Sequence, residues 1–493
     1  MDAASKNPIG ADERDQLLRS LRLPLAIAVS GGPDSVALMH LVAGWLNAEP
    51  RPCPMGGGAP PVLVLTVDHG LRPGSAEEAR WVEAEVTRLG LAHVTLRWQG
   101  AKPRTGIQQA AREARLALIS DYVANEQLPV PREVLLAHHR DDQAETLLMR
   151  LARGSGVDGL SGMREVETWT WLRLGHPVEE ISLVFRRPLL SIGKDRLIAT
   201  LEVSGIPSVV DPSNQNPDFE RVRLRQARPQ FEALGLTSEH LANTARRLGT
   251  VHSALERARQ HVARAAVAIH YGAYATVDLA QLKEASTEIA IRVIRCLVDV
   301  FGGQAEAVRL SQIEALVDGF IMAVRPRKGT VTLGGCIVER ARGKARVAAQ
   351  GDERLHIYRE PGRHGLPRVT LQPGSGCFWD RRFYVSAGPS CEGPVQVTAL
   401  SSGQFAELRR RFPGLAGLDL MRRSAVTLPA FWAGDQLLAV PFFAAEEPTL
   451  AGPKVIGSPL LAASFADQHV RAIYGGQRPG ARADQAGAEQ PPQ

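Results

Sequence analysis

A chain of 493 residues, 44% of them hydrophobic, exceeds what one core organises, so two or three domains are expected, and a net charge of +6 is too small to define a partner by itself. Cys53, Cys296, Cys336, Cys377 and Cys391 lie far apart with no C-x-x-C, which argues against an iron–sulfur, zinc or redox centre and suits a reducing compartment. The N-terminus is polar and charged and no window approaches ~18 continuous apolar residues, so a cytoplasmic protein without a membrane span is expected.

The first predicted strand is the short apolar run Leu25 to Val29. It breaks into Ser30-Gly31-Gly32-Pro33-Asp34-Ser35, after which Val36, Leu38, Met39, Leu41 and Val42 recur near helical spacing. Glycines let a loop backbone approach a ligand, and the unpaired N–H groups and positive dipole end of the following helix favour phosphate. No lysine follows the loop, which excludes the G-x-x-x-x-G-K-[ST] nucleotide loop, and the G-x-G-x-x-G fingerprint does not fit. The plain alternative is an ordinary Gly-Pro turn.

Further strand-like and helix-like runs alternate over the first ~230 residues: "PVLVLTVDHG", "AEEARWVEAEVTRLG", "HVTLRW", "GIQQAAREARLALISDYV", "EVLLAHH" and "DDQAETLLMRLARG". Such alternation implies an α/β domain with a mostly parallel sheet, whose ligands bind at the carboxyl ends of the strands. Ser30 to Ser35, Asp68 to Arg72 and His138 to Asp142 fall at those ends. His138, Asp142 and Glu145 are spaced i, i+4, i+7, which places them on one face of the helix expected to start there. Two carboxylates and an imidazole can bind a metal, hold an ammonium group or accept a proton from an amine; the alternative is a solvated helix start rich in acids.

From about Leu236 the pattern turns helical and rich in Arg and Ala, closing with the strand-like "GTVTLGG" and "CIVERARG". The expected layout is a catalytic domain over 1–233, a mainly helical domain over 236–350, a linker at 351–372, a small α/β domain over 373–474 and a disordered tail at 475–493. Arginine clusters stand at 221 to 228, near 257, at 325 and at 340, the last holding Arg340, Arg342 and Arg346. Arginine forks suit phosphate and base contacts, so these clusters are candidate nucleic-acid contacts or solvated helix faces.

The S-G-G-x-D-S stretch resembles the PP-loop of ATP pyrophosphatases. Together with D-H-x-L-R at Asp68 to Arg72, Q-x-A-R at Gln109 to Arg112, H-x-x-x-D-x-x-E-T from His138, R-G-S-G-x-D-G-L from Arg153, "DPSN" at Asp211 to Asn214, and Phe219 to Arg225, it closely resembles the tRNA(Ile)-lysidine synthetase family. That family's last motif is F-x-R-N-x-[IL]-R, so Val222 stands where asparagine is usual. The resemblance carries its motifs over residues ~20 to 230 and implies an adenine nucleotide alpha hydrolase-like fold there.

The resemblance also implies a reaction. ATP adenylates the C2 oxygen of the wobble cytidine in the CAU anticodon of an isoleucine tRNA, and L-lysine then displaces AMP to form lysidine, changing the codon read from AUG to AUA. It assigns Ser30, Gly31, Gly32, Pro33, Asp34 and Ser35 to ATP, with Asp34 acting through Mg²⁺. Asp142 and Glu145 would bind lysine, Arg112 and Arg221 would face the α-phosphate or tRNA backbone, and His138 would orient these groups. The later domains would hold tRNA. A PP-loop tRNA thiolase and a non-catalytic nucleotide-binding module are the rival readings.

Overall fold

The computed structural model describes residues 7–48, 61–71, 74–103, 105–125, 132–173, 179–209, 217–304, 308–323, 329–340, 353–362, 365–416, 421–443 and 455–459. Within these, the chain divides into two compact units, one drawn from residues 1–172 and 180–253, the other chiefly from 254–472.

The first unit begins with helix α1 (Ala11–Leu18) and then alternates strand and helix: β1 (Leu25–Ala28), α2 (Pro33–Ala48), β2 (Val62–Asp68), α3 (Ser75–Arg88), β3 (Ala92–Arg97), α4 (Ile107–Asn125), β4 (Glu133–Leu135) and α5 (Arg140–Ala152). A short α6 (Val157–Leu160), strands β5 (Val166–Arg173) and β6 (Glu179–Arg186), and helices α7 (Lys194–Val203), α8 (Glu220–Gln226), α9 (Arg228–Ala233) and α10 (Ser238–Ala266) follow. The sheet order is β3-β2-β1-β4-β6-β5, and β1 pairs in parallel with both β2 and β4. The chain therefore lays down β2 and β3 on one side of β1, then returns to place β4 on the other. That reversal opens a crevice at the carboxyl ends of β1 and β4, where open α/β sheets bind ligands.

Both faces of the sheet are covered, which explains why its central strands are apolar without alternation. Leu25 and Ile27 of β1 pack with Val36, Leu38, Met39 and Trp45 of α2 and Leu197 and Leu201 of α7, whereas Ala26 packs with Ile119 and Val123 of α4 and Phe185 of β6. The start of α10 is tied to α5 through Ala144, Leu147, Leu241 and Ala245.

The second unit departs from the expected layout. Residues 236–350 hold more helix than strand, as expected, but β7 (Val267–His270), β8 (Tyr274–Asp278), β9 (Thr330–Leu333) and β10 (Cys336–Arg340) join β11 (Arg354–Arg359) in a five-stranded sheet ordered β7-β8-β11-β10-β9. It packs on α12 (Thr287–Gly302), which follows α11 (Leu279–Glu284) and buries Ile289, Val293, Ile294, Leu297 and Phe301. Strand β11 lies in the stretch expected to be a linker, yet it is the centre of the sheet, with Leu355 and Ile357 fully buried between β8 and β10.

The domain boundary expected near 233–236 falls within α10 instead, and the small α/β portion is not separate. Tyr274 and Tyr358 of the five-stranded sheet share a core with Leu371, Trp379, Val397 and Phe431, from four- and three-stranded sheets farther along the chain, and with Phe405 of the helix Ser402–Arg411. The tail at 475–493 lies outside the described residues, and no described helix is long and apolar enough to cross a membrane.

Ile27 is fully buried on the central strand of the first unit. Ile27→Ala is expected to destabilise that unit by about 2–5 kcal/mol, read as a lower urea midpoint, because both the transfer of the removed carbons and the cavity they leave count against folding. A loss under about 1 kcal/mol would show that β1 is not the centre of this core.

Candidate active site

The glycine loop leaves β1 through Val29, whose N–H donates to the Leu65 carbonyl at 2.9 Å. Gly31 adopts φ +87, in the left-handed region, and a Cβ there would come within 3.3 Å of both Val209 and Val82. Its carbonyl accepts from the Val209 N–H at 2.9 Å, so the loop is clamped from the far side. Ser35 closes the turn from within: its Oγ donates to the Gly32 carbonyl at 2.9 Å and accepts from the Ser30 N–H at 3.2 Å. Helix α2 starts at Pro33, whose missing N–H costs nothing at a first helical position, and its first-turn N–H groups face the crevice end of the strand. These are the elements of a phosphate cradle.

The second wall is the start of α5. The helix begins at Arg140, so His138 precedes it and does not share its face with Asp142 and Glu145, contrary to the i, i+4, i+7 expectation. His139 is the N-cap instead: its Nδ1 accepts from the Asp142 N–H at 3.4 Å, and Asp142 Oδ2 accepts from the His139 N–H at 3.1 Å. His139 is 1% exposed, with Nε2 at 3.5 Å from both Asp34 Oδ2 and Asp142 Oδ2 and Nδ1 at 3.7 Å from Asp141 Oδ2. Burial opposes charge on this imidazole, but the hydrogen bond to Asp34 and the charges of Asp142, Asp34 and Asp141 outweigh it and raise its pKa.

Around His139 lies a ring of paired charges that sequence reasoning had only half found. Lys194, the first residue of α7, places Nζ at 3.6 Å from Asp34 Oδ2, while its backbone N–H donates to Asp141 Oδ2 at 2.9 Å. Arg228 Nη1 lies 2.8 Å from Asp141 Oδ1. Arg225 grips Glu145 with a fork, Nε to Oε1 at 2.6 Å and Nη2 to Oε2 at 3.2 Å, and stands 3.8 Å from Asp142. Burial works against ionised Asp34, yet the His139 hydrogen bond and charge, with Lys194, hold its pKa below the usual value. Asp34 Oδ1 is buried without a hydrogen-bond partner.

His138 faces the opposite way. His139 is extended (φ −123, ψ −179), a conformation in which successive side chains point to opposite sides. His138 is desolvated and then exposed to the positive charges of Arg187, Arg112, Arg221 and Arg115, which together depress its pKa far below 6.5 and keep it neutral. Its Nδ1 is buried and unpartnered. Arg112 is itself lowered to about 10 by desolvation and by Arg221, Arg187 and Arg115. Arg112 and Arg221, expected at an anion, do share one electropositive wall, and Arg115 and Arg187 join them.

Several other expected residues are structural. Arg150 Nη1 donates to the carbonyls of Gly159 and Gly162, and His252 of α10 pairs with Asp158 at 2.7 Å, so the R-G-S-G-x-D-G-L stretch clasps α5 to α10. Arg340 donates to Glu353 at 2.9 Å and to the Phe320 carbonyl at 2.8 Å, which makes it a brace within its unit; Arg342 and Arg346 lie outside the described residues. Val222, in place of asparagine, is buried in α8. Arg72 and Asp211 to Asn214 also lie outside the described residues.

Among known families, the PP-loop domain matches residues 13–230. The chain is 38% identical over 71% of its length to the tRNA(Ile)-lysidine synthase of Bradyrhizobium diazoefficiens, covering 96% of that protein. It is 40% identical over 67% of its length to the tRNA(Ile)-lysidine synthase of a Methylobacterium species, covering 90% of it. A solved U34-tRNA thiolase, NcsA from Methanococcus maripaludis with its [4Fe-4S] cluster, is 15% identical with a TM-score of 0.37, covering 48% of this chain and 78% of that one. The phosphate cradle and the acidic helix start thus sit inside the matched PP-loop region, and the chain belongs to the tRNA(Ile)-lysidine synthase family.

Proposed function

We propose that this crevice joins L-lysine to C2 of the wobble cytidine in a CAU anticodon. Family membership makes the chain an ATP-dependent ligase that modifies tRNA. The observation that carries the finer reading is the contrast between a carboxylate cluster around His139, which reaches Asp34 of the glycine loop, and an arginine cluster around neutral His138.

The loop and the first turn of α2 would hold the ATP phosphates, with Ser30 and Ser35 adding hydroxyls. Among the described residues no group of three or more ligands could enclose a metal, but Asp34 offers a buried, unpartnered oxygen at the phosphate cradle. That suits Mg²⁺, which takes one or two carboxylates and completes its shell with phosphate and water. When bound, it would neutralise the triphosphate and favour pyrophosphate departure. The cytidine C2 oxygen attacks the α-phosphorus and pyrophosphate leaves; Arg112 and Arg221 would face the growing charge. A lysine amine then forms a bond to C2, AMP departs with the C2 oxygen, and a carboxylate of Asp142 or Glu145 accepts the amine proton. His138 is too weak a base for that proton, and its neutral ring is suited to hydrogen-bonding within the arginine wall.

The thiolase reading is disfavoured by the thiols. All four described cysteines belong to the second unit, and burial pushes Cys296 up to about 11 and Cys336 up to about 12, far from the thiolate that sulfur chemistry needs. The decisive experiment is mass analysis of the nucleoside formed from an isoleucine tRNA transcript with enzyme, ATP and lysine. A lysine adduct supports the reading, and a thiolated base or an unmodified base overturns it.

Asp34→Asn is expected to keep the fold and lower ATP cleavage by about a hundredfold or more, since the amide keeps the shape but loses the anionic oxygen. Near-normal pyrophosphate release would remove Asp34 from metal binding. Glu145→Gln should depress lysine transfer more than pyrophosphate release; the reverse pattern would reassign it to the nucleotide. His139 predicts a pH signature. Because its folded pKa is raised above 6.5, its stabilising contribution is complete below about pH 6.5 and is lost as pH rises through the raised value. Urea midpoints of wild type and His139→Gln should therefore converge from pH 6 towards alkaline pH, and a constant difference would mean that the imidazole is not charged in the folded chain.

A further inference from the structure

Lysine brings to this crevice a difficulty that two carboxylates alone do not solve. Its two ammonium groups suit Asp142 and Glu145, but its α-carboxylate would enter a wall that already holds Asp34, Asp141, Asp142 and Glu145, and like charges at such range repel strongly. A cation with unused donors must meet it.

Lys194, Arg228 and Arg225 each reach that wall, and their partners separate them. Lys194 faces Asp34 at the phosphate cradle. Arg228 pairs with Asp141 at 2.8 Å and with Glu232 at 2.6 Å, so it stands at neither of the carboxylates proposed to hold the lysine amines. Arg225 stands at both of those carboxylates, with Nε and Nη2 on Glu145 and Nη2 3.8 Å from Asp142, and among the described residues its Nη1 has no hydrogen-bond partner. The side chain is 36% exposed, so the Nη1 end is open to a ligand. A guanidinium presents five N–H donors in a rigid plane, and an edge left free accepts a carboxylate in a second fork.

We infer that Arg225 is a specificity-determining residue, whose Nη1 end binds the α-carboxylate of the amino-acid substrate while Glu145 and Asp142 hold an ammonium group beside it. This rests on the proposed lysine-joining function. The pair of Arg225 and Glu145 is already assembled without substrate, so it presents a plus and a minus charge side by side to a head group carrying the opposite pair. Preorganisation of this kind avoids ordering two long side chains at the moment of binding. It also gives the site a means to reject a diamine. Cadaverine has the same chain and both amines as lysine but no carboxylate, and it would leave the Arg225 edge unmet.

The test uses the full chain, an isoleucine tRNA transcript with a CAU anticodon, ATP and Mg²⁺, and reads AMP release and nucleoside mass with lysine or cadaverine as the amine. Wild type is expected to prefer lysine by at least about tenfold in kcat/KM. Arg225→Gln should raise the lysine KM by about ten- to a hundredfold and change the cadaverine KM by less than about threefold, so that the preference collapses. Arg225→Lys, which keeps the charge without the fork, should fall between them and guards against a glutamine variant that does not fold.

Equal use of both amines by the wild type would overturn the inference. So would an equal loss with both amines in the variants, which marks a purely structural pair, or a lower lysine KM in Arg225→Gln, which marks Arg225 as a competitor for Glu145. A wild-type enzyme that releases AMP with neither amine would instead bring down the parent reading.

Discussion

The pairing of β1 with β4 is the constraint on which everything else depends. Ala26 aligns with Val134 and Ile27 with Leu135, so the chain leaving β1 and the chain leaving β4 emerge side by side at one edge of the sheet. The two segments are about a hundred residues apart in sequence, and each is chemically incomplete. The glycine loop can cradle phosphate but has no group to handle an amine; the start of α5 carries acids but no phosphate cradle. Pairing between two short strands, through the apolar Ala26, Ile27, Val134 and Leu135, brings them together, and the 3.5 Å approach of His139 to Asp34 is the seam where they meet.

At that seam, burial makes the charges depend on one another. Asp34, Asp141, Asp142 and Glu145 would be costly to hold ionised in one partly desolvated wall without compensation. His139, Lys194, Arg225 and Arg228 supply it, each from a different element. Two adjacent histidines on one extended stretch have their pKa values pushed in opposite directions, His139 upwards by the acids and His138 downwards by burial and the arginines. The result is a carboxylate cluster and an arginine cluster approached by two histidines adjacent in sequence, so that groups of opposite charge are kept apart at the start of one helix.

The sequence revealed the first unit well because its signals are local. Apolar runs ending in Ser30 to Ser35 and in His138 to Asp142 marked both the strands and the loops, and β1, β2, β3 and β4 lie where those runs are. The misassignment of His138 came from assuming that the helix began with the motif. The pattern that identifies the true N-cap, His139 with Asp142 three residues on, was present in the letters, but histidine is an unusual N-cap and a spacing of four looked equally helical. Lys194 carried no signal at all, since its role depends on α7 docking beside the loop more than 150 residues after it in the chain. Arg225 stood inside a recognised motif, yet its partner Glu145 is 80 residues away and only the fold pairs them.

The second unit was harder to read for a related reason, and it changes what arginine content implies. Strands β7, β8 and β11 are four to six residues long, set in Ala- and Arg-rich surroundings that suit helices, and they become strands through pairing with one another. Arginine clusters there looked like a footprint for a polyanion. In the folded chain Arg259 is fully buried against Glu256 and Arg340 braces Glu353 and Phe320; beyond those clusters, Arg382 is likewise buried against Asp380 and the Thr427 carbonyl. Each of these guanidiniums is paired inside the protein through at least one donor, while Nη1 and Nη2 of Arg259 and Nη1 of Arg382 are buried without a hydrogen-bond partner. A tRNA-binding face must therefore be sought among the arginines left at the surface, such as Arg246, Arg257 and Arg264 along α10, and a count of arginines along the sequence overstates the charge available to a phosphate backbone.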